Sequence, residues 1–104
     1  MLIEKWECAL NEGKEVILLG DINIDSLKWF KDGLPSSDPI HKLRPLIDLL
    51  QEKIMPFGVY QKVAVPTHME SCLDHLYTNK PEKLCDIMAV NNGGSDHKII
   101  STVR

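Results

Sequence analysis

The sequence predicts a layered domain of mixed α/β or α+β type. Three observations carry that expectation. A helical pattern at residues 2–10 is followed at once by a short branched apolar run, Glu15–Leu19. A second helical pattern centres on Leu46, Ile47, Leu49 and Leu50. Beyond it come four short strand-like segments separated by turn residues. Helices and strands ordered this way bury their apolar sides by layering helices on sheets. At 104 residues the chain is at most one domain, against about 150 residues for a typical one.

The elements follow in order. Leu2, Ile3, Trp6, Ala9 and Leu10 share one helical face, with Glu4, Lys5 and Glu7 opposite. Asn11-Glu12-Gly13 ends that helix, Gly13 being a natural left-handed cap. Glu15–Leu19 reads as a strand buried on both faces, ending abruptly at Gly20-Asp21. Residues 26–39 carry Gly33, Pro35, Ser36, Ser37, Asp38 and Pro39, which is loop chemistry. The second helix starts at Pro39 or Pro45, both acceptable as first-turn prolines, and fades near Lys53. Gly58–Val65 alternates through Val59, Gln61 and Val63 as a strand would, and Pro66 interrupts it. Leu73–Thr78, Cys85–Val90 and His97–Val103 are the remaining strands, separated by Asn79-Lys80-Pro81 and by Asn91-Asn92-Gly93-Gly94.

Composition excludes several classes. With 43% hydrophobic and 26% charged residues, the chain is not collagenous, coiled-coil or disordered in character. No uninterrupted apolar run exceeds four residues, far short of the roughly 20 a membrane helix needs, so no membrane partner is expected. No cationic segment followed by an apolar stretch opens the chain, which argues against a signal peptide. Cys8, Cys72 and Cys85 lack CxxC spacing and cannot all pair, so a reducing, intracellular setting is expected, nuclear or cytoplasmic alike. Cys8 and Cys72 read as small buried hydrophobes, which disfavours a Cys-based hydrolase. Residues 1–26 hold two Lys against six acids, and residues 27–104 hold ten basic and nine acidic residues together with all four His. The overall charge of −3 is not that of a protein that tracks phosphate backbones through bulk charge.

Acids or histidines stand at three strand–turn junctions. The first is Gly20-Asp21-Ile22-Asn23-Ile24-Asp25. Loops at strand ends are where sites are commonly built. Asp21 and Asn23 share a face in extended chain, and a carboxylate beside an amide suits a hard cation and a phosphate oxygen. Asp21 as a turn cap with Asn23 bonding backbone is the competing structural reading. The second junction is Ser71-Cys72-Leu73-Asp74-His75. Asp74 and His75 are adjacent and face opposite sides of a strand, so each needs a partner elsewhere, and His75 reads as a surface or half-buried strand residue. Cys72 and His75 lack further ligands at zinc spacing. The third is Gly93-Gly94-Ser95-Asp96-His97 at the mouth of the last strand. Histidine there is a natural proton-transfer group near neutral pH, or an incidental residue of a tight turn.

As a set and in this order, these segments resemble the endonuclease/exonuclease/phosphatase superfamily. Val16-Ile17-Leu18-Leu19-Gly20-Asp21-Ile22-Asn23 is similar to its GDxN motif, Leu73-Asp74-His75 to its later Asp motif, and Ser95-Asp96-His97 to its terminal SDH motif. Ile24-Asp25, Pro66-Thr67, Leu76-Tyr77-Thr78-Asn79 and the Lys98-Ile99-Ile100 that follows SDH look like the apurinic-type endonuclease domains of non-LTR retrotransposons.

The resemblance implies a partial four-layer α/β sandwich, DNase I-like, with a mixed sheet and flanking helices. It also implies phosphodiester hydrolysis with Mg2+ or Mn2+ and DNA as ancestral substrate. Asp21 would orient or activate the attacking water, and Asn23 would hold the phosphate. Asp96 would bind the metal, with Asp21 and Asn23 as further ligands. His97 would act against the scissile phosphate, and Asp74 would fix its tautomer. The family's first half, with its metal-binding Glu, has no counterpart in residues 1–104, so the chain reads as the C-terminal portion of such a domain. Weak metal binding, low activity and an uncovered sheet prone to self-association are the corollaries. Where the family often has Arg after Pro-Thr, His68 stands here. The alternative is a non-catalytic remnant or interaction domain that keeps the half-fold.

Overall fold

A computed structural model describes residues 2–22, 24–35, 44–91 and 93–104. Helix α1, Leu2–Asn11, buries Trp6 and Leu10. It stops where Gly13 takes φ +75°, the left-handed conformation that a side chain disfavours. Cys8 is exposed rather than buried. It lies two residues from both Trp6 and Leu10, and residues two apart on a helix do not share a face. Strand β1, Ile17–Asp21, follows. Its entry is pinned by Asn79, whose Oδ1 accepts from Val16 N–H at 2.9 Å and whose Nδ2 donates to Lys14 O at 2.7 Å.

Residues 26–35 form regular structure instead of the expected loop. Helix α2, Ser26–Trp29, is N-capped by Asp25, whose carboxylate accepts from Leu27 N–H at 3.1 Å. Strands β2, Phe30–Lys31, and β3, Leu34–Pro35, then close a hairpin with Lys31 opposite Leu34. Asp32 and Gly33 at its tip have φ +53° and +82°, the double positive φ of a two-residue hairpin turn. A Cβ at Gly33 would lie 2.9 Å from Gln61 O, so close packing and backbone conformation both select glycine there. Asp-Gly was the legible signal for this hairpin. The expected loop at 36–39 and a helix start at Pro39 lie outside the described residues.

Helix α3, Arg44–Leu49, continues as a π-helical turn over Leu50–Ile54 and a 3-10 turn over Met55–Phe57. Strand β4 is only Tyr60–Gln61, shorter than the alternation at 58–65 predicts. The buried Gln61 side chain explains the difference. Its Oε1 accepts from Val63 N–H at 2.6 Å and Leu76 N–H at 3.2 Å, and its Nε2 donates to Val63 O at 2.7 Å. Of these, the Leu76 N–H is the donor a continued ladder would pair with Lys62 O, since Lys62 N–H already donates to Leu76 O at 2.8 Å. Strands β5, Asp74–Thr78, β6, Cys85–Val90, and β7, Ile99–Val103, fall where the sequence puts them.

The strands form three small sheets, ordered β1-β5-β4, β2-β3 and β6-β7. All described pairings are antiparallel, so the mixed sheet expected from the resemblance is not what these strands make. β2–β3 and β6–β7 are joined by turns too short for a parallel crossover, and β1 and β4 both run against β5.

Two apolar clusters sit on opposite faces of β5. Tyr77 joins Trp6, Leu10, Leu50, Ile54 and Val59, with Leu18 and Phe30 packed against them, and the Trp6 ring meets Tyr77 edge-on at 5.2 Å. Leu76 joins Val63, Cys72 and Leu84, with Ile87 of β6 and Ile100 of β7 packed against them. The central sheet therefore carries helices on one face and the β6–β7 hairpin on the other, a mixed α/β domain. Its radius of gyration of 13.5 Å is close to the roughly 13 Å of a folded chain of about 100 residues.

β1 is not buried on both faces. Ile17 is 43% and Leu19 57% exposed, because β1 is an edge strand and, among the described residues, only its Leu18 side is covered. Met88, Val90, Ile99 and Val103 are likewise exposed. These burials predict a contrast in stability. Ile54→Ala, at a fully buried position, should lose about 2–5 kcal/mol of unfolding free energy, whereas Leu19→Ser should change it by no more than about 0.5 kcal/mol. Urea denaturation followed by circular dichroism measures both, and equal losses would contradict the layer assignment.

Candidate functional site

The site is assembled by backbone stitching around the ends of β1 and β5. Asp21, last in β1, lies directly opposite Asp74, first in β5. Directly opposed residues of an antiparallel pair place their side chains on the same face. The chain beyond β1 is held to the chain before β5 by Ile22 N–H donating to Leu73 O at 2.9 Å and Ser26 N–H donating to Cys72 O at 3.0 Å. The Asp25 carboxylate, besides capping α2, accepts from Cys72 N–H at 3.0 Å.

Thr67 brings in the third residue. Its buried Oγ1 accepts from the amides of Leu73 and Asp74, both at 3.0 Å, and its carbonyl accepts from Lys98 N–H at 2.8 Å. His68 forms a backbone bridge with His97, and their rings lie 4.7 Å apart, tilted by 42°. The Ser95 hydroxyl accepts from His97 N–H at 3.2 Å. Residues 66–68 thus clamp the start of β5 and the approach to β7 together. Thr67 and His68 belong to this site. In the sequence their marks are the Pro66-Thr67 pair of the resemblance and the His68 that stands where that family often has a phosphate-facing Arg.

His97 Nδ1 stands 2.6 Å from Asp74 Oδ2, and its Nε2 stands 3.8 Å from Asp21 Oδ2. An acceptor-only carboxylate at Nδ1 fixes the neutral tautomer with the proton on Nδ1, leaving the Nε2 lone pair on the Asp21 side. The hydrogen bond to Asp74 raises the His97 pKa above the usual imidazole value, and the charges of Asp74, Asp21 and Asp96 add to it. Among the described residues, donor atoms of Asp21, Asp74 and His97 lie within 4.8 Å of one another, a group that could hold a metal ion. Asp96 is exposed and outside that group, though close enough for its charge to act on His97. Asn23 lies outside the described residues.

His75 differs from the surface or half-buried residue expected. It is fully buried. Nε2 donates to Ile24 O at 2.8 Å and to Cys72 O at 3.1 Å, and Nδ1 accepts from the Tyr77 hydroxyl at 2.8 Å. Both nitrogens are occupied by structural bonds, and burial pushes its pKa below the usual value. Neighbouring strand residues face opposite sides, so Asp74 faces the site and His75 the interior. Cys72 is buried as expected, and burial pushes its thiol pKa up. Neither it nor His75 offers a free zinc ligand.

No protein-family model, curated protein or solved structure matches the chain. Among the described residues, no helix is long and apolar enough to cross a membrane.

The two histidines should titrate in opposite senses. The raised His97 value adds stability that is fully present below pH 6.5 and lost as pH rises through the folded-state pKa. The lowered His75 value adds stability present above pH 6.5 and lost as pH falls through its folded-state pKa. Ring-proton NMR should give His97 a midpoint above 6.5 that drops in Asp74→Asn, and should find His75 still neutral below 6.5. A His97 midpoint at or under 6.5 in the unmodified chain would contradict the Asp74–His97 pairing.

Proposed function

We propose that this chain carries the Asp/His part of a divalent-metal-dependent phosphodiesterase of the retroelement DNA endonuclease type. One observation carries the reading. Three residues that the motifs single out, far apart in sequence, meet within 4.8 Å, with Asp74 bonded to the far nitrogen of His97. The layer order of helices, central sheet and hairpin is compatible with part of a four-layer, DNase I-like sandwich.

Each group has a chemical task. His97 Nε2 accepts a proton from a water held between it and the Asp21 carboxylate, the 3.8 Å gap leaving both within reach of one water oxygen. Asp74 keeps the lone pair on Nε2 and stabilises the imidazolium that forms. Asn23 would hold the phosphate, as the resemblance implies. The donor set tests the cation. Two carboxylates and an imidazole suit Mn2+ better than Mg2+, which prefers a full set of oxygens, and Asp74 is already engaged by His97. Asp21, with Asp96 nearby, would therefore hold the ion weakly. When bound, the ion would neutralise charge on the phosphate oxygens.

Purified chain should nick supercoiled plasmid slowly with Mn2+, more slowly with Mg2+ and not with EDTA. Asp21→Ala and His97→Ala should each cost about 10²–10⁴-fold. Nicking that survives both substitutions would defeat the assignment.

The exposed Ile17, Leu19, Met88, Val90, Ile99 and Val103 favour a second reading, a non-catalytic interaction domain that associates through its uncovered strands. Light scattering after size exclusion discriminates the two. A monomer at all concentrations counts against association.

A further inference from the structure

The row Asp74, His97, Asp21 also has the form of a metal-bearing triad. A histidine that holds a transition metal almost always donates its other ring N–H to a carboxylate, a carbonyl or water, which fixes the tautomer and makes the bonding nitrogen more basic. Asp74 Oδ2 takes that place 2.6 Å from His97 Nδ1, and His97 Nε2 faces Asp21 Oδ2 at 3.8 Å. We infer that His97 Nε2 and Asp21 together bind Zn2+, and that this ion inhibits the site instead of serving it as a cofactor. The binding stands on the geometry alone. The inhibition rests on the hydrolase reading of the preceding section, because Zn2+ takes the nitrogen that reading gives to the proton of the water.

Three observations support it. The first is span. Zn2+ bonds imidazole nitrogen and carboxylate oxygen at about 2.0–2.2 Å, and tetrahedral coordination sets two such ligands about 3.4 Å apart. The 3.8 Å between Nε2 and Oδ2 exceeds that by only ~0.4 Å. The Asp21 side chain is 50% exposed at the end of an edge strand, so a small rotation closes the difference. The second is donor type. Imidazole suits Zn2+, whereas Mg2+ prefers oxygen ligands and gives up its waters reluctantly. The two cations therefore compete for Asp21, and Zn2+ alone also engages His97. The third is the place of Asp74. Its carboxylate belongs to the group of donor atoms within 4.8 Å, but Oδ2 is committed to His97 Nδ1, and the side chain is only 19% exposed. Asp74 is therefore the outer partner that aims the imidazole, and not a ligand. Among the described residues His68 does not join the group, although its ring lies against that of His97. The remaining coordination positions fall to water.

The test reads binding before activity. Cys8 and Cys85 are exposed and thiolates bind zinc, so the chain used carries Cys8→Ser and Cys85→Ser. Zn2+, Mn2+ and Mg2+ are each titrated into it by calorimetry, and the imidazole 15N shifts are read with and without Zn2+. Zn2+ should bind about tenfold or more tighter than Mn2+, and Mn2+ tighter than Mg2+. The His97 Nε2 resonance should move while Nδ1 stays protonated. Asp74→Asn should weaken Zn2+ about 10–100-fold, the cost of losing an outer-shell partner, and Mg2+ far less. Asp21→Asn should weaken both ions. Added to Mn2+-supported plasmid nicking, Zn2+ at saturation should stop turnover. Zn2+ that leaves the His97 Nε2 resonance of the otherwise unmodified chain in place would overturn the inference. So would a folded Asp74→Asn variant with undiminished Zn2+ affinity. Zn2+ on Nε2 in a chain that nicks with no cation would defeat the hydrolase reading and leave the metal site standing. Nicking that continues at full rate with Nε2 occupied would defeat the inhibition.

Discussion

Strand β5 and its register against β1 govern the rest of the molecule. Tyr77 and His75 of β5 point to the helical side and Leu76 and Asp74 to the hairpin side, so one strand feeds both apolar clusters and the site. A slip of one residue would exchange the two sets, burying Asp74 among helices and turning Tyr77 toward the hairpin. The Tyr77 hydroxyl bonded to His75, and His75 bonded to Ile24 O and Cys72 O, lock the register with polar contacts inside an apolar layer. A buried polar group left unpaired costs about 1–3 kcal/mol, so a shifted register would forfeit several such bonds at once.

The same register produces the site's electrostatics. Opposing two aspartates at the end of an antiparallel pair is unfavourable by itself, since like charges directly across strands repel. His97 answers that repulsion by sitting against both carboxylates. The protein thus holds a strand-end arrangement that local propensity does not favour. Rule-breaking of this kind is expected at functional positions. Thr67 has an equally specific part, because one hydroxyl satisfies two amides at the start of β5 and its carbonyl tethers Lys98.

Coverage of the strands is where the apolar pattern misled. Val16–Leu19 has the composition of a strand buried on both faces, yet two of its side chains are exposed at an edge. A side chain's preference for burial is local, whereas its burial depends on whether another element arrives. The Gln61 amide makes a related point. It ended β4 by supplying side-chain bonds in place of the ladder, and an alternating pattern carries no trace of such competition.

The sequence alone places most elements, since amphipathic period, Gly13 and the apolar runs act over a few residues. It also marked Asp21, Asp74 and His97, because each stands where a strand meets a turn. It could not determine what Asp74 and His75 each face, because neighbouring strand residues differ in direction and only the packed layers say which side is interior. Nor could it show that Thr67, His68 and Lys98 join the site, since their contacts close over distances along the chain that no local pattern encodes. The tertiary structure decided those matters, by placing β7 and the 66–68 segment against the end of β5.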